Sequence, residues 1–85
     1  MEIVFSPQSL EDLKFWKDSN NIKIQTRIEV LLEAIKESPF EGVGKPEALK
    51  HNWSGYWSRR INQEHRLIYK INDGKIFIAQ LKNHY

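Results

Sequence analysis

Residues 56–85, YWSRRINQEHRLIYKINDGKIFIAQLKNHY, decide the fold. Three strand-like runs, YWSRRI (56–61), HRLIYKI (65–71) and KIFIAQLKNHY (75–85), are separated by NQE and NDG, both short enough for hairpins. NDG suits a three-residue loop with Gly74 in the left-handed conformation, which sets Ile71 opposite Lys75 and Arg66 opposite Gln80. Side chains alternate along a strand. Leu67, Tyr69, Ile71, Phe77, Ala79 and Leu81 then share one face, and Arg66, Ile68, Lys70, Ile76, Ile78, Gln80, Lys82 and His84 share the other. With NQE also a three-residue loop, Arg60 pairs with Arg66 on this second, open face. Arg59 points the opposite way, towards an expected helix acid. His84 is expected to stand at the end of a central or near-central strand, beside a row of Arg and Lys.

Working outward, EIVF (2–5) reads as a first strand. Ser6 as N-cap and Pro7 at the first helical position open a helix whose apolar face is Leu10, Leu13 and Trp16. Ile24, Ile28, Leu31, Leu32 and Ile35 recur at three- and four-residue steps, a second amphipathic helix that Pro39 closes. The stretch PFEGVGKPEALKHNWSG (39–55) reads as a loop with one helical turn at PEALK. The order is β-α-α-β-β-β, an α+β domain. It predicts a small antiparallel-rich sheet with two N-terminal helices packed on one face, and a single domain over residues 1–85.

A chain of 85 residues has a modest core, so each of its ten aromatic side chains counts. Without cysteine it has neither disulfides nor a thiolate metal site, and His51, His65 and His84 lack ligand-like spacing. Neither a phosphate-binding loop nor a dinucleotide fingerprint is present; GVGKPE lacks the strand–helix context. No cofactor and no metal are expected. The absence of a membrane-spanning run and of a signal peptide gives a cytoplasmic expectation. Net charge is +2 but unevenly spread: residues 1–41 carry five Lys/Arg against eight Asp/Glu, residues 42–85 eight against three. The basic half fits a polyanion, nucleic acid being the common case.

Metal-free RNA cleavage needs a base for the 2′-hydroxyl, an acid for the 5′-oxygen, and fixed cations for the developing phosphorane charge. The basic half offers Glu47 or His84 as base, His84 or Tyr85 as acid, and Arg60, Arg66 and Lys50 as cations. Arg fits the last role because its planar fork matches phosphate oxygens. Each has a plainer reading. Glu47 at i,i+3 from Lys50 fits an ion pair on one helical turn, Arg60 and Arg66 fit solvated charges that resist edge pairing, and His65 fits a structural role at a strand start.

PFEG, GKPE, LKH, SRRI, EHRL and a closing HY, in this order, resemble the YoeB/Txe toxins of bacterial toxin–antitoxin systems, within the wider RelE/ParE superfamily. The resemblance runs over essentially the whole chain. It implies a ribosome-dependent mRNA endonuclease that cuts in the decoding site by attack of the mRNA 2′-hydroxyl. Carried over, Glu47 is the general base, His84 the general acid and Arg66 the stabiliser of phosphate charge. Tyr85 positions substrate or terminus, and Lys50 and Arg60 face the RNA backbone. The resemblance further implies a cognate YefM-like antitoxin, and the charge asymmetry places its docking on part of the basic sheet face rather than on the acidic helical half. It leaves monomer versus homodimer open. A different class, a ParE-like toxin that inhibits gyrase without cutting RNA, gives no reason for Glu47, Arg66 and His84 together.

Overall fold

The computed structural model describes residues 1–83; His84 and Tyr85 lie outside the described residues. The elements are β1 (Glu2–Phe5), α1 (Pro7–Asp18), α2 (Ile22–Glu37), β2 (Glu47–Ala48), a 3-10 turn (His51–Trp53), β3 (Trp57–Arg60), β4 (Arg66–Asn72) and β5 (Lys75–Gln80). The sheet runs β1-β5-β4-β3-β2, with β1 parallel to β5 and the other pairs antiparallel. The expected α+β class and the two helices on one face are found. The helices cover one sheet face through Trp16, Ile24, Ile28, Leu31 and Ile35, packed on Leu67, Tyr69, Ile76, Ile78 and Leu81. No helix among the described residues is long and apolar enough to cross a membrane.

Three expectations change. PEALK forms no helical turn: Glu47 and Ala48 are a short edge strand paired with Ser58 and Trp57. That removes the i,i+3 geometry, and Glu47 and Lys50 form no ion pair among the described residues. Second, the β4–β5 loop has two residues, not three. Asn72 opposes Lys75, while Asp73 (φ 52°) and Gly74 (φ 70°) both take the left-handed conformation that a two-residue hairpin of this twist demands. The register therefore slips by one, which flips β5. Ile76 and Ile78 enter the core, and Phe77 and Ala79 turn to the other face. An irregularity between Ile68 and Tyr69 skips Ala79 and restores the original phase, so Leu81 is core as expected. Third, β5 stops at Gln80; Leu81–Asn83 leave the strand, with Asn83 at φ 67°.

On helix α1, Trp16 is core and Leu13 packs against it as expected, but one position of the face fails. Its buried positions are Ser9, Asp12 and Trp16, whereas Leu10 is 53% exposed. The polar side is inward because it has backbone to satisfy. Ser6 caps the helix by accepting from Ser9 N (3.0 Å) and donates its hydroxyl to the Ala79 carbonyl (2.7 Å). Asp12 Oδ2 accepts from Leu81 N at 2.9 Å.

Candidate active face

The face away from the helices, here the outer face, is built in cross-strand rows. Arg60 stands opposite Arg66. Two residues along, Glu47, Ser58 and Ile68 align across β2, β3 and β4. One row further, Lys70 opposes Phe77, which in turn opposes Val4 of β1. Successive rows are about 7 Å apart and neighbouring strands about 4.8 Å. The Glu47 backbone thus lies about 10 Å across and about 7 Å along from Arg66, a gap that two long side chains can close around a phosphate. Ile68 and Leu49 are buried yet stand outside the main core, and give this face a small apolar floor.

Arg66 is held rather than solvated. It is 9% exposed, and its Nη1 donates to the carbonyls of Asn62 (2.7 Å), His65 (3.1 Å) and Gln63 (3.3 Å) in the β3–β4 loop. Asn62 shapes that loop by accepting from Glu64 N and His65 N through its side-chain oxygen. One edge of the guanidinium is thereby fixed, and no carboxylate pairs with it among the described residues. A fork locked by carbonyls keeps both its charge and its aim. The Arg60 side chain is exposed; its backbone N–H donates to Gly44 O (2.7 Å) and its carbonyl accepts from Arg27 Nη2 (3.1 Å). Glu47 and Lys50 are exposed and line one open concavity of about 520 Å³ with Leu49 and Trp53.

His84 and Tyr85 lie outside the described residues, but the segment leading to them is pinned. Leu81 N donates to Asp12, and the Leu81 carbonyl accepts from Trp16 Nε1 (2.9 Å). Asn83 N donates to His65 Nδ1 (2.8 Å), and the Asn83 carbonyl accepts from Arg66 N (3.1 Å). His65 packs edge-on against Trp16 with ring centroids 4.8 Å apart. Residue 83 is thus tied to the backbone of Arg66, one position before His84 in sequence. Asp12 and His65 were not singled out as site-building groups in the sequence. The signal available was an acid on the inward phase of α1, visible only once that phase is known. Lys82, expected in the arginine row, instead sits with Nζ 3.9 Å from the Phe15 ring centroid on α1.

Arg59 faces the helices as expected, but no helix acid meets it. It is fully buried, and its fork donates to the carbonyls of Ser38, Glu41 (2.9 Å) and Val43 (3.1 Å), with Nε to Tyr69 Oη (3.2 Å). Tyr69 in turn donates to the Pro39 carbonyl. The carbonyls that follow the C-terminus of α2 take the place of a carboxylate. Burial pushes the Tyr69 phenol above its ordinary 10.0, with Arg59 pulling partly the other way. This clamp folds the 38–44 loop over the sheet and so delivers β2, with Glu47, to the edge of β3.

Residues 5–85 match the family described as YoeB-like toxin of bacterial type II toxin–antitoxin system. Toxin YoeB of Synechocystis sp. is 49% identical, covering 100% of this chain and 98% of that protein. A solved structure described as a YoeB/ParE toxin from Agrobacterium tumefaciens superposes with a TM-score of 0.94 at 38% identity, over 100% of both chains. YoeB of Staphylococcus aureus has been solved in a heterotetrameric complex with YefM and as a dimer, each at 49% identity and TM-score 0.90, covering 100% of this chain and 98% of that one.

Proposed function

The chain belongs to the YoeB-like toxins of bacterial type II toxin–antitoxin systems, and from that premise we propose that it is a metal-independent mRNA endonuclease acting on the ribosome in the bacterial cytoplasm. The observation that carries the reading is the outer face itself. Glu47, Arg60 and Arg66 stand in adjacent rows, the Arg66 fork is aimed by loop carbonyls, and Asn83 is bonded to Arg66 just before His84. In this reading Glu47 takes the proton from the mRNA 2′-hydroxyl, which attacks the adjacent phosphorus. Arg66 stabilises the charge that builds on the phosphorane oxygens. His84 supplies a proton to the departing 5′-oxygen, and Tyr85 positions the substrate. Lys50 and Arg60 hold the backbone on either side. A carboxylate in water is a weak base at neutral pH, so the assignment requires RNA and ribosome to dry the concavity around Glu47. A cognate antitoxin of the YefM type, acidic where it docks, covers part of the same face. Self-association, as described for the S. aureus relative, belongs to the same proposal, and a chain that sediments only as a monomer at all concentrations would remove it.

The test is primer extension on a defined mRNA held on purified ribosomes. Wild type is expected to cut within the decoding-site codon. Glu47→Gln and His84→Ala are each expected to slow cutting by about 10²–10⁴-fold with unchanged unfolding midpoints. Intact mRNA with a folded wild-type protein discards the nuclease reading, and gyrase inhibition becomes the assay to run.

A further inference from the structure

The third row of the outer face takes no part in the reaction just described, yet it holds a cation between aromatic rings beside a groove. Lys70 Nζ lies 5.0 Å from the Tyr56 ring centroid and 5.8 Å from that of Phe77. Tyr56 immediately precedes β3, where its carbonyl accepts from Leu49 N (2.9 Å), and its ring meets Trp53 edge-on with centroids 5.2 Å apart. The ammonium is thus held by ring faces, with no carboxylate paired to it among the described residues. Ring quadrupoles attract a cation without cancelling its charge. Val4, Pro7, Phe77 and Ala79 wall a groove of about 540 Å³ beside it. That volume falls within the ~300–1,000 Å³ typical of ligand clefts.

An apolar wall with an aromatic ring, next to an uncancelled cation, suits a flat apolar body that carries an anion. A nucleotide has that form. We propose that the Tyr56–Lys70–Phe77 row is a second RNA subsite, in which a base lies against Phe77 and the phosphate of the same strand meets Lys70. The proposal rests on the reading that the outer face carries RNA. It assigns a direction to the strand's path: from the arginine pair, past Glu47 and Ser58, to the aromatic row, about 14 Å over four residues of β4. A peptide seated over the row meets β4 and β5, interior strands whose backbone groups are already paired. Among the described residues the only edge nearby is that of β1, at the far wall of the groove. Single-stranded RNA needs none. Stacking and a tracking cation suffice, and both are sequence-tolerant.

The probe is a 2′-O-methyl single-stranded hexaribonucleotide, which lacks the attacking hydroxyl and so binds without being cut. It is titrated into the full chain and followed by NMR and by fluorescence anisotropy at several salt concentrations. The ring signals of Tyr56 and Phe77 and the side-chain signals of Lys70 are expected to shift together with those of Arg66. Lys70→Met keeps the stem and removes the charge; it is expected to lower the salt slope by about one phosphate contact. Phe77→Leu keeps an apolar wall and removes the ring; it is expected to weaken binding about 10-fold. Both side chains are half-buried, and unchanged unfolding midpoints separate lost contact from lost fold. Shifts confined to Arg60 and Arg66, unchanged affinity and slope in both variants, or shifts with an acidic peptide but not with the oligonucleotide would each overturn the subsite. Ribosomal cleavage is read separately. A wild type that binds through this row but cuts no mRNA leaves the subsite standing and removes the nuclease; variants that bind and cut like wild type do the reverse.

Discussion

Asp12 offers a direct test of how the segment before His84 is held. Its carboxylate is 5% exposed and accepts from Leu81 N (2.9 Å) and Gln8 Nε2 (2.9 Å). Asp12→Ala leaves the Leu81 N–H buried with no acceptor, which costs about 1–3 kcal/mol. Loss of the charge-assisted character puts the effect at about 2 kcal/mol, about 30-fold in an equilibrium constant. The other anchors of the segment, Trp16 on the Leu81 carbonyl and His65 and Arg66 on Asn83, remain. The loss should therefore appear first as local opening of residues 81–83, not as global unfolding. Amide hydrogen exchange reads this, because Leu81 N and Asn83 N are themselves the donors. Exchange at both is expected to rise about 30-fold, while Leu67 and Tyr69 in β4 change much less. Asp12→Asn keeps an acceptor oxygen and should show a smaller rise at both sites. Ribosomal cleavage should fall with the opening while Glu47 and Arg66 are untouched. An Asn83 amide whose exchange ignores Asp12→Ala, or one that rises only in step with β4, would refute the idea of a separately pinned segment.

Arg59→Met removes the clamp that folds the 38–44 loop, stranding the carbonyls of Ser38, Glu41 and Val43; relief from burying a guanidinium offsets part of this, and a net loss of about 3 kcal/mol is expected in urea unfolding, with less than 1 kcal/mol overturning the account. Tyr69 carries a pH signature. Its phenol titrates higher in the folded chain than in the unfolded one, so its contribution is complete below pH 10.0 and declines as pH rises towards and through the folded value. Unfolding midpoints followed from pH 8 upward should fall more steeply above about pH 10 in wild type than in Tyr69→Phe, and parallel curves would remove the assignment. Charge reversal at the exposed Arg60 and Lys50 is expected to slow antitoxin association at least 10-fold and to weaken its salt dependence; an unchanged on-rate would place the antitoxin elsewhere.

Most of the architecture was legible because period and turn chemistry agree: two helices on one face, three hairpin strands, and Arg60 opposite Arg66. What failed was the phase of β5. NDG admits both a two- and a three-residue loop, and the difference of one residue moves Ile76 and Ile78 from solvent to core. The alternation of β5 cannot decide it, since Ile76, Phe77 and Ile78 are apolar on both faces. Phe77 was thus placed in the core, and the aromatic row around Lys70 went unseen. PEALK was misread for a related reason. Two residues of edge strand carry no period of their own, and their partner, WSRR, is read only after the sheet is assembled. On α1, Leu13 and Trp16 face the core as expected, but Leu10 does not, because the buried polar contacts of Ser9 and Asp12 take its place.

Arg59 and Arg60 show how one alternation separates stability from function. They are adjacent on β3, carry the same group, and differ only in which face the strand turns them to. On the helix face the charge is fully buried and must be met; loop carbonyls and a tyrosine hydroxyl do so, and the result is a fixed loop that carries Glu47. On the outer face no carboxylate pairs with the charge among the described residues, and it remains available to an anion. Arg66 combines the two conditions: one edge of its fork is tied to the β3–β4 loop, and no carboxylate neutralises it among the described residues. A surface meant only for solubility would intersperse acids among these cations. Here six of the eight acids of residues 1–41 sit on the helices, with Glu2 on β1 and Glu41 in the loop after α2, and Asp12, the one turned inward, holds backbone rather than an arginine. The cationic face is therefore not an accident of composition. It persists because the fold meets its buried arginines with carbonyls, and among the described residues no carboxylate is ion-paired with Arg60 or Arg66.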